Sequence, residues 1–206
     1  MTHVDNIPHI LEFGITHRNS ENANPNYVSI GDSSLIDNRF STVKNITNGS
    51  DNIIETITIG DFIPFYFGIR TPMLYVIQKG FNGVKKRNPE EIIYCVSDIQ
   101  TMIESGFLFY FSDGHTSKNE LTTIYNSTKI SEVVDIVDFE ATKYMYWKSE
   151  NDLDLKRRKE AEFLVKNDLP KEAIKGYVCF NESAKNRLLE MGVDSNMIVV
   201  KPNYYF

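Results

Sequence analysis

The chain is poor in the residues that build covalent or metal frameworks. Its two cysteines in 206 residues, Cys95 and Cys179, lie far apart inside apolar runs, which suits buried reduced thiols rather than a disulfide scaffold. The four histidines, His3, His9, His17 and His115, show no metal-ligand spacing, so no metal is expected. No apolar run approaches the roughly 20 residues needed to cross a bilayer. The opening Met-Thr-His-Val-Asp has neither the basic nor the apolar region of a signal peptide, and a cytoplasmic protein without membrane contact is the expectation. Positive charge is also short: 22 Lys and Arg face 28 Asp and Glu, a formal net charge of −6. That balance argues against coating nucleic acid non-specifically, an affinity that comes mainly from Lys and Arg on phosphates. A local basic groove stays open, with residues 85–87 and 156–159 as its candidates. Neither a Gly-x-Gly-x-x-Gly fingerprint nor a P-loop is present, so dinucleotide-fold and kinase-like readings have no support.

What is present describes an ordinary globular protein. With 41% hydrophobic residues the chain can bury one substantial core, and residues 1–206 read as one domain. Pro8 and Gly14 bracket a short helix with Ile7, Ile10 and Leu11 inward. Residues 19–52 are rich in Asn, Ser and Gly and read as loops, of the long ordered kind that usually serves function. Residues 53–75 are the apolar heart of the first half, and Pro64 there predicts an edge or bent strand. Strands are expected over 91–96, 107–111, 160–165, 177–180 and 197–200, and helices over 98–105, 121–125, 136–147 and 181–191. Strand and helix do not alternate regularly, which predicts an α+β fold with mostly antiparallel strands.

The stretch 154–165, Asp-Leu-Lys-Arg-Arg-Lys-Glu-Ala-Glu-Phe-Leu-Val, sets a basic run directly before two carboxylates. If it is extended from Glu160 onward, Glu160 and Glu162 share a face, two acids side by side at a strand edge. If helical, they lie about 200° apart and cannot serve one substrate. Arg39 could clamp a phosphate or carboxylate through its planar fork, or only pair with a nearby acid. Tyr66, Arg70 and Met73 could line a groove that stacks a base, or the two apolar groups could be core packing. His115 follows a strand end, placed either to meet a ligand or to cap a loop. His3 precedes a helix, as a ligand contact or a surface histidine at a frayed terminus.

Three blocks, taken in order, resemble the DarT family of bacterial toxins that ADP-ribosylate DNA. They are Thr2-His3-Val4-Asp5-Asn6-Ile7-Pro8-His9-Ile10-Leu11, then Ile63-Pro64-Phe65-Tyr66-Phe67 with Arg70-Thr71-Pro72-Met73-Leu74-Tyr75, then Glu160-Ala161-Glu162-Phe163-Leu164-Val165. The resemblance implies an ADP-ribosyltransferase fold, a split and mostly antiparallel sheet around an NAD cleft with flanking helices, with NAD as co-substrate and no metal. It implies Glu162 as the catalytic acid with Arg39 engaging NAD, and Thr2, His3 and His9 on the cofactor side. It places Tyr66, Arg70, Met73, His115 and Lys156 on the target nucleotide. It further implies single-stranded DNA as acceptor, a macrodomain-type antitoxin that removes ADP-ribose as partner, and a lean toward guanine over thymine from residues 30–36, Glu160 and the 113–115 turn. Two alternatives stand beside it. One is the same chemistry on RNA or protein; the other, suggested by a chain that opens directly on Thr2-His3, is a module that binds NAD or nucleic acid without turning it over.

Overall fold

The computed structural model describes residues 1–117 and 120–206. Its elements run β1 (Thr2–His3), α1 (Ile7–Phe13), α2 (Ser33–Ser41), β2 (Val43–Ile46), β3 (Glu55–Thr58), β4 (Phe62–Tyr66), α3 (Pro72–Lys79), β5 (Ile92–Val96), α4 (Ile99–Glu104), β6 (Phe109–Ser112), β7 (Ile124–Asn126), α5 (Val133–Ile136), α6 (Phe139–Lys143), α7 (Leu155–Lys159), β8 (Glu162–Lys166), β9 (Gly176–Cys179), α8 (Glu182–Glu190) and β10 (Ile198–Val200). They fall into two compact units of interleaved chain. The first holds residues 1–32, 74–107 and 167–206, the second 33–73 and 108–166.

In the first unit the strand order is β1-β5-β9-β10, antiparallel except for the β9–β10 pair. β5 and β9 carry β-branched and aromatic residues, and Ile92, Ile93, Tyr177 and Cys179 are all buried. Local signals end the helices where the residues suggest. Pro8 stands in the first turn of α1 and Gly14 closes it at φ 80°. Asn181 caps α8 by accepting from the Ala184 N–H, and Gly192 follows it at φ 93°. Both cysteines are free thiols; burial pushes Cys95 up to about 11 and raises Cys179 as well.

In the second unit the order is β4-β8-β6-β7, all antiparallel, beside a β2–β3 hairpin. Pro64 sits on the edge strand β4, where its missing N–H costs no ladder bond. β8 lies between β4 and β6, so both its edges are paired, and residues 162–165 are all buried. Leu164 joins Phe62, Tyr110, Ile124 and the hairpin's Ile46 and Ile57 in one core. Phe163, on the opposite face, stacks on Phe109 at 4.8 Å. Each such side chain contributes about 1.5–3 kcal/mol on leaving water.

Four expectations are corrected here. The loop region 19–52 contains α2 and β2, because Leu35, Ile36, Arg39 and Phe40 recur on one helix face although none is fully buried. Residues 121–125 are not helical: Ile124, Tyr125 and Asn126 pair with β6 instead, a tertiary choice that local pattern does not show. The helix expected over 136–147 is interrupted. Val137 turns extended, and Asp138 then caps α6 by accepting from the Ala141 N–H at 2.8 Å. Within the apolar stretch 53–75, Ile53 and Ile54 are exposed. No helix among the described residues is long and apolar enough to cross a membrane.

Candidate active site

Glu160 is not on the strand. It takes φ −93°, ψ 19° at the C-cap of α7, and β8 begins two residues later at Glu162. The two acids therefore do not share a strand face, which corrects the extended reading of 160–165. The physical reason lies in the basic run, whose four cations occupy the last turn of α7 and favour helix there. Glu160 accepts an i,i+4 ion pair from Lys156 at 2.6 Å.

The run itself is not an open basic groove either. Arg157 pairs with Asp154 and Asp113. Arg158 pairs with Asp138, Asp152 and Asp154. Lys159 is fully buried and donates to the carbonyls of Ile69 at 3.2 Å and Thr142 at 3.0 Å. Lys156 alone keeps substantial exposure, 47% of its side chain.

Glu162 is 1% exposed. An isolated carboxylate there would cost several kcal/mol, so its partners decide its state. Arg39, in the last turn of α2, donates from Nη1 to Oε1 at 3.0 Å and less closely to Oε2 at 3.4 Å. Thr116 donates its backbone N–H to Oε2 at 3.0 Å, and its hydroxyl makes a second, short bond to the same oxygen. Burial pushes the carboxyl up, but the Arg39 and His115 charges and the Thr116 bonds outweigh it and hold Glu162 below the usual carboxylate range. It is ionised at neutral pH.

Local packing sets these positions. Gly60 lets α2 approach closely, since a Cβ there would fall 2.6 Å from Phe40 Cα, and the Ile59 N–H bonds the Thr42 carbonyl at 2.9 Å. Those contacts fix the helix end that carries Arg39. The Glu162 N–H donates to Ser112 Oγ at 3.2 Å, and the Ser112 hydroxyl donates to the Gly114 carbonyl at 2.7 Å, tying the strand to the turn that bears His115 and Thr116.

Tyr66 stands opposite Glu162 in the β4–β8 register. Burial, then the Glu162 and Glu160 carboxylates, push its hydroxyl well above the usual value against a smaller pull from Arg39, so it remains a neutral donor. Arg70 adopts φ 49°, a left-handed conformation costly for a side-chain-bearing residue, and donates to the Lys143 carbonyl at 3.2 Å. Met73 is half-buried in the first turn of α3. His115 is buried, its Nδ1 accepting from the Ser117 N–H at 3.2 Å.

Thr2, His3 and His9 belong to the other unit. His3 is 4% exposed, not a surface residue at a frayed end: its Nδ1 accepts from the Asp5 N–H and its Nε2 lies 3.4 Å from Glu91. Thr2 is buried and meets the Asn6 side chain at 2.9 Å. His9 meets Thr16 Oγ1 at 3.2 Å and leans on Phe13. Among the described residues no group of three or more His, Cys, Asp or Glu could hold a metal ion.

Sequence reasoning missed Thr116 and Ser112, the residues that hold Glu162 from the far side. Their one signal was position, flanking the turn at the end of a predicted strand.

An arginine-held glutamate thus stands buried at the start of a central antiparallel strand, a fixed negative charge inside the second unit. A family model described as "DarT: ssDNA thymidine ADP-ribosyltransferase, DarT" matches residues 1–206. The chain belongs to the DarT family. A DNA ADP-ribosyl transferase of Escherichia coli O127:H6 is 28% identical, the match covering 100% of this chain and 91% of that protein. A Thermosipho africanus protein described as a DNA ADP-ribosyl transferase-DNA ADP-ribosyl glycohydrolase fusion is 26% identical over 100% of this chain and 48% of its own length. Two solved structures share the fold. Thermus sp. 2.9 DarT in complex with ADP-ribosylated ssDNA has a TM-score of 0.81 at 23% identity, covering 100% of this chain and 93% of that one. The same protein in complex with NAD+ has a TM-score of 0.74 at 22% identity, covering 100% and 94%.

Proposed function

We propose that residues 1–206 act as one domain that transfers ADP-ribose from NAD to a base of single-stranded DNA, releasing nicotinamide. The observation that carries this reading is Glu162, kept ionised in a buried setting by Arg39 and Thr116. NAD supplies a ribose carbon that gains positive charge as the bond to nicotinamide breaks. A fixed carboxylate stabilises such charge more in the transition state than in the ground state, and it needs no reorganisation to do so. Held below its usual range, Glu162 is a weak base. Its larger contribution is therefore electrostatic, with uptake of the base-nitrogen proton second. Arg39 Nη2 is buried and makes no hydrogen bond among the described residues, which fits a guanidinium with donors left for an anionic part of NAD.

Thr2, His3 and His9 serve the nicotinamide side in this reading, and Tyr66, Arg70, Met73, His115 and Lys156 the target nucleotide. Pairing hides the reacting nitrogen in a duplex, which favours single strands. Thymine comes before guanine: the family description names thymidine, and Glu160, one support for the guanine lean, is turned toward Lys156 rather than set beside Glu162. The Thermosipho fusion supports a partner that removes ADP-ribose; in this reading the protein is a toxin, that partner is a macrodomain-type antitoxin, and both act in the cytoplasm.

The test is to incubate the protein with NAD and, separately, single-stranded DNA, duplex DNA, RNA and a protein mixture, and to weigh each acceptor. A mass gain of one ADP-ribose on single-stranded DNA is expected, on oligo-dT before oligo-dG. Transfer to RNA or protein alone would move the acceptor, and no transfer at all would leave a binding module.

A further inference from the structure

We infer that Arg157 is the positioning residue of this site: it clamps the turn of residues 113–116 and so holds Thr116 against Glu162. The inference rests on the reading of Glu162 above, but the contacts that carry it are independent of any substrate. Arg157 grips Asp154 with two donors, Nε to Oδ1 at 2.7 Å and Nη2 to Oδ2 at 2.8 Å. Its Nη1 meets Asp113 twice, at the backbone carbonyl at 3.0 Å and at Oδ2 at 2.9 Å. All three guanidinium nitrogens thus donate inside the protein, and the side chain is 13% exposed. This arginine of the basic run is spent on structure, not offered to phosphate.

What it holds, Asp113, is tied in turn to Thr123. The other carboxylate oxygen of Asp113 accepts the Thr123 N–H at 2.8 Å, and the Asp113 N–H reaches the Thr123 carbonyl at 3.3 Å, so Asp113 ties the two ends of the 113–123 segment. Gly114 sits against the clamp with no room for a side chain: a Cβ would fall 2.6 Å from Thr122 Oγ1 and 2.7 Å from Arg157 Cγ. Two residues on, Thr116 places its N–H and hydroxyl on Glu162 Oε2. Arg157 therefore acts on the carboxylate through the turn without touching it. A lysine could reach Asp113 but could not reproduce the fork that joins Asp113 to Asp154.

The experiment compares the unmodified protein with Arg157→Met, Arg157→Lys, Thr116→Val and the Arg157→Met/Thr116→Val double variant. Single-turnover transfer to single-stranded DNA and NMR titration of the Glu162 carboxyl are both read. The groups facing that carboxyl are Arg39 from α2, Tyr66 from β4, and His115 and Thr116 from the turn. Arg157→Met should lower transfer roughly 10- to 100-fold, the scale of a small misplacement of a reacting group, with NAD affinity little changed. Arg157→Lys should recover part of the loss. The double variant should be no worse than the worse single, because both act through one contact. In every variant the Glu162 titration should move to higher pH, since part of what holds it down is removed. Additive losses, or an unmoved titration in a folded Arg157 variant, would overturn the inference. If Arg157→Met does not fold, Arg157→Lys and Thr116→Val carry the same titration test. If the unmodified protein transfers nothing, the functional reading fails while the titration still decides the role of Arg157.

Discussion

The sheet containing β8 and the sheet containing β9 are both four-stranded and mostly antiparallel, yet they bury different chemistry. β9 is Gly-Tyr-Val-Cys, with Tyr177, Val178 and Cys179 buried and no ionised side chain. A buried polar tie beside it is a neutral hydroxyl: Tyr205 OH donates to the Ile92 carbonyl at 2.9 Å, with the Val178 carbonyl at 3.1 Å. β8 begins on a buried carboxylate, and the buried Lys and Glu residues among those described, Lys159, Glu160 and Glu162, all lie in its unit. A hydroxyl is buried at small net gain or loss, whereas a charge costs several kcal/mol that partners only partly offset. A sheet built for stability alone has no use for that arrangement. The difference between the two sheets supports the role proposed for Glu162 above.

The widest effect should come from the charge at the head of β8. Glu162→Gln keeps shape and removes charge, and single-turnover transfer should fall by about 10² or more, the scale of losing one preorganised electrostatic group. NAD affinity should change far less than rate. Because Arg39 loses its carboxylate, a stability loss of about 1–3 kcal/mol should accompany it in denaturant melts. Glu160→Gln should be the milder change. Near-full transfer by Glu162→Gln, or greater damage from Glu160→Gln, would erase the distinction between the sheets.

Lys159 sharpens the comparison through pH. Burial and then the Arg70 charge hold its ammonium down to about 8, against an upward pull from Glu160. Between about 8 and the ordinary 10.5 the unfolded chain binds a proton that the folded chain does not, so this residue makes stability rise with pH through that window. Below about 8 both states are protonated and its slope disappears. Denaturant melts from pH 7 to 10 should show the rise in the unmodified protein and a flatter curve in Lys159→Met. Parallel curves would mean the lysine is not held down by its surroundings.

On the other sheet, Tyr205→Phe should cost about 0.5–1.5 kcal/mol, one neutral hydrogen bond, and leave transfer unchanged. A rate loss larger than the stability loss would show that the first unit's hydroxyls serve chemistry after all. The smallest effect belongs to Lys156, an exposed partner of Glu160. Lys156→Ala should reduce the salt slope of DNA binding by about 1. Arg158→Ala should leave that slope alone, because its guanidinium is already shared among three carboxylates.

Much of the frame was legible in the chain. Pro64 announced an edge strand, Asn181 and Gly192 bounded α8, and Asp98 and Gly106 bounded α4, because caps and φ constraints act within a few residues. β7 and α2 were not legible. Ile124, Tyr125 and Asn126 are strand only because β6 lies beside them, and α2 buries no residue fully, so its periodicity is faint. Glu162 and Arg39 were found as separate candidates, one from a strand pattern and one from an isolated arginine.

That these two meet, across 123 positions of sequence, is a property of the fold. So is the fate of the basic run. Read along the chain, Lys156, Arg157, Arg158 and Lys159 are a solvated patch facing phosphate; folded, two arginines are locked to aspartates and a lysine lies fully buried. Residue types and local spacing set which groups could ionise, cap or turn, since those preferences act over a few bonds. Which charges were neutralised, and which carboxylate was kept ionised in the interior, depended on long-range neighbours and on the low dielectric they create.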